Sequence, residues 1–375
     1  PAISDVSGFF NESIFDLWND TIIPDGKNVQ DGGMANQLTP QDRNIYSEDS
    51  ANFLGSYSVF ANQDTFDMTS DTFDDFVKVR DWSMGYDVED TNGDGSFIDS
   101  RYAIGDPLHS EPVIVTFGGS NSNPDSTIFF GTNEGFIHAV DTNTGQGEFA
   151  FIPKVLHKIQ KTYFDNSAAA AEKPYGMDGQ ISTWFKDANS NNVILDSSGN
   201  LESGEHVYIY AGMRRGGNNY YGLDVSNRSA PKMIFKIEGG QGDFTKLAQT
   251  WSRMTVAKVK LNGQSRFVLF FTGGYDTAQD SNTLTQADST GNAIYMVDAT
   301  NVKRLWWASD QDANLNIPSM TNSMPASITA IDISGDGHVN YLFAADTGGR
   351  VFRIDINQNN SGAGDFARGG VIASL

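Results

Sequence analysis

One unit recurs along this chain and constrains its fold more than any other feature. It runs strand, glycine turn, strand ending in an apolar residue and Asp, short polar turn, strand. The first copy spans residues 127–153, with the turns Thr132-Asn133-Glu134-Gly135 and Thr142-Asn143-Thr144-Gly145 and the close Val140-Asp141. The second spans residues 207–237 and closes in Leu223-Asp224. The third spans residues 267–307, with Thr272-Gly273-Gly274 and Val297-Asp298, and the fourth spans residues 341–356, with Thr347-Gly348-Gly349 and Ile354-Asp355. Each apolar run has strand length, and each break carries turn residues. One such sheet cannot bury both faces, but radial stacking of several can. A sandwich shares the strand lengths yet does not explain the repeated Asp followed by a tight turn. The pattern predicts an all-β propeller.

Composition agrees and removes several function classes. Gly is frequent, at 38 of 375 residues, and only 19% of the residues are charged, as in polar-turn β proteins. The net charge of −22 opposes binding to nucleic-acid backbone or to an acidic membrane surface. There is no cysteine, which excludes disulfides, thiolate zinc sites, iron–sulfur clusters and a cysteine nucleophile. No apolar run approaches the roughly 20 residues of a membrane span, so no membrane insertion is expected. No signal peptide opens the sequence, which begins at Pro1, and residues 369–375 read like the opening of another strand. The expectation is a fragment of a longer protein.

Residues 1–78 read as a partly irregular N-terminal segment leading into a propeller over residues 79–375. Within that segment, Phe9-Phe10 and Ile14-Phe15-Asp16-Leu17-Trp18 suggest a short amphipathic helix. Residues 53–60 suggest a strand, and the apolar spacing of residues 64–79 suggests a helix. Two insertions interrupt the repeats: a helical excursion at residues 154–172 and a polar loop at residues 276–291.

Two acidic loops carry metal-ligand spacing. Asp332-Ile333-Ser334-Gly335-Asp336-Gly337-His338-Val339-Asn340 places oxygens at alternate positions, with the His338 carbonyl at the seventh. Asn340 and Ser334 are weaker ligands than carboxylates and predict modest affinity. The loop Asp90-Thr91-Asn92-Gly93-Asp94-Gly95-Ser96 begins in the same way, with the Ser96 carbonyl available. Its twelfth position is Arg101 rather than a bidentate Glu, so Asp99 or Glu89 would have to close the shell. Both loops point to Ca²⁺; the competing reading is an Asx turn without an ion.

Enzyme constellations are poor, and no catalytic residue is assigned. The five histidines make no metal spacing, and His138 reads as a packed, hydrogen-bonded strand residue. Gly212-Met213-Arg214-Arg215-Gly216-Gly217 lacks the terminal Lys-Ser or Lys-Thr of a phosphate loop and reads as a hairpin connection.

Several segments resemble the C-terminal domain of the PilY1/PilC proteins of type IV pili. They include Val79-Arg80-Asp81-Trp82, Gly105-Asp106-Pro107-Leu108-His109-Ser110-Glu111-Pro112, residues 130–141, Tyr220-Tyr221-Gly222-Leu223-Asp224-Val225, Thr250-Trp251-Ser252-Arg253 and residues 344–353. The resemblance runs from about residue 75 to the end. It implies a modified β-propeller with quinoprotein-dehydrogenase-like blades, long insertions and a few short helices. It implies a non-enzymatic role at the pilus tip: pilus assembly, control of retraction, adhesion and twitching motility. The implied partners are minor pilins of the tip complex and a host-cell or surface receptor. The implied location is the cell surface, reached by export through the periplasm. Its calcium loop falls on Asp332, Ser334, Asp336, His338 (backbone) and Asn340.

Two other functions compete. A quinoprotein dehydrogenase shares the blade pattern, although the vicinal disulfide of many members is impossible here. A carbohydrate-binding propeller adhesin would use Trp82, Trp184, Trp251, Trp306 or Trp307 to stack sugars.

Overall fold

A computed structural model describes residues 3, 4, 6–8, 11–15, 17–19, 24, 32–50, 53–166, 169, 173–281 and 287–375. Two strands near the start, β1 (Ile45–Ser50) and β2 (Phe53–Ser56), precede four sheets' worth of repeats. The first blade holds β3 (Val113–Ser120), β4 (Asn123–Gly131), β5 (Ile137–Asp141) and β6 (Gly147–Phe151). Its outer edge is extended by β1, which pairs parallel to β6, and then by β2. The second blade holds β7 (Ile181–Lys186), β8 (His206–Gly212), β9 (Asn219–Asp224) and β10 (Lys232–Glu238). The third holds β11 (Thr255–Leu261), β12 (Gln264–Thr272), β13 (Ala293–Asp298), β14 (Arg304–Ser309) and the short β15 (Leu315–Asn316). The fourth holds β16 (Thr329–Ile331), β17 (Tyr341–Ala345), β18 (Arg350–Ile356) and β19 (Ala367–Ser374). Residues 369–374 therefore do lie in a strand, β19, which is the last of the fourth sheet.

The blades stack because each shared strand is apolar on both faces. In β12, Val268 and Phe270 join the core against the fourth blade, while Leu269 and Phe271 join the core against the second. In β8, Ile209 and Ala211 face the first blade and Tyr210 the third. This is why these strands read as unbroken apolar runs rather than as alternation. The first strands β3, β7, β11 and β16 lie side by side in that order. The arc is open: among the described residues no core cluster joins the fourth blade to the first.

The repeated Asp has a local cause. Asp141, Asp224 and Asp298 each end the third strand of a blade and accept hydrogen bonds from the turn that follows. Asp141 Oδ1 takes the N–H groups of Asn143 (2.9 Å) and Thr144 (2.8 Å), and Asp298 Oδ1 takes that of Thr300 (2.9 Å). Asp224 Oδ1 takes the N–H and hydroxyl of Ser226 at 3.0 and 2.6 Å. The fourth blade departs: Asp355 pairs with Arg353, and Asn357 accepts from the turn at Asn359 instead. Asp224→Ala is expected to cost about 1 kcal/mol in urea unfolding, the worth of such a side-chain turn bond.

Three local expectations are corrected. Residues 53–60 split into β2 and a one-turn helix Tyr57–Phe60. The predicted helix over residues 64–79 forms later, at Phe73–Met84, where the Thr72 side chain accepts from Asp75 N at 3.1 Å. Phe66 and Met68 are buried, but from turns. Ile14, Phe15, Leu17 and Trp18 are not helical, and the Trp18 indole N–H donates to the Thr142 carbonyl at 3.0 Å. Phe9, Phe10 and Asp16 lie outside the described residues. The excursion after the first blade is helical through Asp165, in Lys154–Ile159 and Gln160–Asp165. Among the described residues no helix is long and apolar enough to cross a membrane.

Candidate metal centres in two acidic loops

The later loop joins β16 to β17. Gly335 and Gly337 take positive φ (68° and 82°), which lets the backbone curl around the loop's own side groups. Asp332 accepts from Gly335 N at 2.8 Å through one oxygen and from Gly337 N at 2.7 Å through the other. Asp336 accepts from His338 N at 3.0 Å, and Asn340 Oδ1 from Ile333 N at 2.8 Å. The Ser334 hydroxyl lies at the centre. Its oxygen is 3.0 Å from Asp332 Oδ1, 3.1 Å from Asp336 Oδ1 and 3.3 Å from Asn340 Oδ1. One hydroxyl proton faces three acceptors, and such a surplus of converging oxygen is what a hard cation answers.

Both carboxyls are held below the ordinary range. Partial desolvation pushes Asp332 up, but the N–H groups of Gly337 and Gly335 and the Ser334 hydroxyl outweigh it. For Asp336 the His338 N–H is the largest cause. The His338 ring is buried between the loop and β12: its Nε2 meets Ser265 Oγ of β12 at 2.8 Å, and its Nδ1 lies 3.4 Å from Asp336 Oδ1. With Val339 N donating to the Lys258 carbonyl of β11 at 2.9 Å, it ties the loop to the third blade. The Ser265 partner carries no sequence signal, because register alone sets it.

The earlier loop is built less tightly. Asp90, at φ 52°, accepts from Gly95 N at 3.1 Å, and Asp94 accepts from Ser96 N at 2.8 Å. The Asn92 amide nitrogen donates to Asp94 Oδ2 (3.1 Å) and Asp99 Oδ2 (2.9 Å), so these three side chains meet. Asp99 Oδ1 is buried with no hydrogen-bond partner among the described residues, an orphaned acceptor that a cation would satisfy. Glu89 does not close the shell; it pairs with Lys78 at 3.2 Å. Arg101, at the twelfth position, turns away to pair with Glu134 and to lie 3.9 Å over the Trp82 ring. The buried Asp87 is the anchor that spacing alone missed: its Oδ2 takes both the N–H (2.8 Å) and the hydroxyl (2.7 Å) of Thr91.

Among the described residues no group of three or more His, Asp or Glu side chains is gathered to hold a metal by itself. Each loop therefore depends on Ser, Asn and carbonyl oxygens as well. The sugar-stacking tryptophans find little support. Trp184, Trp306 and Trp307 are buried, and Arg101 and Arg214 guanidinium groups lie over Trp82 and Trp251. His138 is packed, stacking on Phe130 at 5.2 Å between ring centroids. Residues 212–217 do connect two strands of a hairpin, β8 and β9.

The PilY1 beta-propeller domain family matches residues 97–374. The type IV pilus biogenesis factor PilY1 of Pseudomonas aeruginosa is 25% identical over 290 residues, which cover 72% of this chain and 22% of that protein. A type IV pilus biogenesis factor PilY1 homolog of Xylella fastidiosa is 21% identical over 245 residues, covering 65% of this chain and 17% of that one. The chain thus spans about a fifth of the length of the curated relatives it matches. The crystal structure of the P. aeruginosa PilY1 C-terminal domain aligns with a TM-score of 0.41 at 21% identity, over 65% of this chain and 44% of that one.

Proposed function

This chain belongs to the PilY1 β-propeller family, and from that premise we propose that it is a calcium-binding, non-enzymatic module of the type IV pilus system. It supports pilus assembly, regulates retraction and contributes to adhesion and twitching motility. It does so at the cell surface or pilus tip, against minor pilins and a surface receptor. The name of the relatives, pilus biogenesis factor, supports the pilus role.

The observation that carries the calcium reading is the cluster of Asp332, Asp336 and Asn340 oxygens around Ser334 Oγ. Asp332, Ser334, Asp336, Asn340 and the His338 carbonyl would hold the ion. Asp90, Asn92, Asp94, Asp99 and the Ser96 carbonyl would hold a second. Bound Ca²⁺ supplies the positive charge that cancels the repulsion between paired carboxylates. The protein's part is mechanical. His338 and Val339 bind the loop to the third blade, so ordering the loop stiffens the seam between the third and fourth blades. A seam that is stiff with calcium and looser without it gives a two-state element through which retraction is gated.

Calorimetric calcium titration of EGTA-treated protein tests this. With only two carboxylates in the later loop, an affinity on the order of 10⁻⁴ M is expected, as for extracellular calcium modules. Asp332→Ala should abolish that event, and Asp94→Ala should remove a second one. Titrations unchanged by Asp332→Ala would sink the assignment of the later loop.

A further inference from the structure

The basic turn of the second blade has no role in the reading above, and its geometry is unusual. Arg214 has φ +51°, the left-handed region that an arginine enters only under constraint. The turn is clamped from both sides. Arg214 N donates to the Thr250 carbonyl at 3.2 Å, Met213 N to Thr250 Oγ1 at 2.8 Å, and a Cβ on Gly216 would lie 1.9 Å from the Gly176 carbonyl oxygen. The strain holds two arginines at one place. Arg214 lies 4.1 Å over the Trp251 ring, and Arg215 lies 5.5 Å from Trp251 and 5.3 Å from Tyr175.

That place is the end of the propeller axis. A cleft of about 550 Å³ opens there, lined by the segments just before the first strands of all four blades and by Arg214 of the β8–β9 turn. His109 comes from the first blade, Gln180 and Arg214 from the second, Trp251 from the third and Ser327 from the fourth. Beneath it Asp178 is buried, with one carboxylate oxygen 2.7 Å from His109 Nδ1 and the other 3.0 Å from Arg214 Nη1. The buried carboxylate aims both groups and leaves them partly exposed. A second cleft of about 300 Å³ shares Trp251 and brings in Arg215, Tyr175, Tyr275 and Asp280, whose carboxylate accepts the Tyr275 hydroxyl at 2.7 Å. Arg215 is exposed; among the described residues its guanidinium donates to the Tyr175 hydroxyl at 3.4 Å and to no carboxylate. In a protein of net charge −22, such a cation has a purpose other than solubility.

We infer that this axial cleft binds an extended peptide through a carboxylate, taken by Arg214, Arg215 and His109. The carboxylate belongs either to an acidic residue of the peptide or to its free C-terminus. Leu108, Pro112 and Pro325 give the neighbouring peptide residues an apolar wall. An acidic glycan fits less well, because Trp251 is already covered by the two guanidinium groups and by Tyr275, 5.0 Å away between ring centroids. Glu111 stands in the cleft, held by Gln180 Nε2 at 2.7 Å, and excludes a second carboxylate on that side. The site is independent of the calcium loops.

Fluorescence anisotropy with the 375-residue protein tests it. The probes are fluorescein-labelled Gly-Leu-Glu-Leu-Gly amide, its Gln analogue as amide, and that Gln analogue as free acid. Saturable binding of either acid, with the Gln amide about tenfold weaker or worse, is expected from losing a charge-assisted pair. Arg215→Gln, at an exposed site, should weaken the acid probe by about tenfold and leave the melting temperature unchanged. Glu111→Gln should tighten binding. Equal affinity for the Glu and Gln amides, no binding of either acid, or saturation only by an oligogalacturonate competitor overturns the inference. Calcium titration of Arg215→Gln should match the parent, so this result and the calcium result fail separately.

Discussion

His138→Phe is expected to remove about 2 kcal/mol of acid destabilisation between pH 7 and pH 5. The His138 ring is packed against Phe130 and Phe136 in the first blade. Burial is the main reason its pKa falls from 6.5 to about 3; the nearby cations Arg43 and Arg101 add to it, and a hydrogen bond to the Ile104 main chain offsets part of it. The sign follows from proton uptake. Below pH 6.5 the unfolded protein binds a proton at this residue and the folded one does not. The stability it contributes is complete above that pH and is lost as pH falls toward the folded value. At pH 5 the loss has reached about 2 kcal/mol, or about 1.36 kcal/mol for each of roughly one and a half units.

Other groups bend the curve, which is why the variant matters. Burial also lowers His157, but Ser47 and Thr65 hydroxyls sit 2.9 and 3.1 Å from its nitrogens. Each can give its proton to a carbonyl, Ile152 or Asn62, and present a lone pair to an imidazolium. Its pKa is nonetheless lowered to about 3, so its share is of the same order. Glu48 and Glu148, whose carboxyls burial pushes up, work in the opposite direction and gain stability as pH falls. Urea unfolding of both proteins across this range isolates His138, and identical pH slopes would refute the argument.

Much of the fold was legible because the propeller solves one problem repeatedly. Residues 268–271 are apolar on both faces because two blades cover them, and Asp141, Asp224 and Asp298 return because each turn needs an acceptor for its N–H groups. What the sequence could not show depends on distant residues. Phe66 and Met68 have helical spacing, yet tertiary burial against Tyr57 and Phe76 is satisfied from turns, and the Thr72 cap starts the helix well after Asp64. In the two acidic loops the spacing named the candidate ligands. It did not reveal the orphaned Asp99 oxygen or the withdrawal of Glu89 to Lys78, which arise from side chains outside the loop motif. The axial arginines looked like an ordinary hairpin, because only the third blade's Thr250 and Trp251 show what they are held against.

The recurrent glycines look like turn formers, but at the blade seams they are contact residues, and this yields the largest effect expected here. Gly274 follows β12 at φ +87°, and a Cβ there would lie 2.0 Å from the Gln249 carbonyl oxygen. The space is closed because Gly274 N donates to the Met324 carbonyl at 3.0 Å while Tyr275 N donates to the Gln249 carbonyl at 3.0 Å. Three segments meet there: those leading into the third and fourth blades and the end of β12. Gly274→Ala therefore combines a left-handed backbone penalty with overlap against main chain that has no rotamer to escape into. A cost of about 4 kcal/mol in urea unfolding is expected, a large share of a domain's stability. Gly263→Ala separates the two terms. Gly263 has φ +72° in the β11–β12 turn, and nothing lies within 4 Å of its would-be Cβ, so it should cost only about 1 kcal/mol. Equal costs at the two sites would mean that backbone conformation alone makes these glycines necessary. A large difference would mean that the blades are seated main chain on main chain. In that case Gly274→Ala should also weaken acidic-peptide binding in whatever fraction still folds, because Gln249 is the residue whose Oε1 accepts the Trp251 indole N–H at 3.0 Å and so sets the ring beneath Arg214.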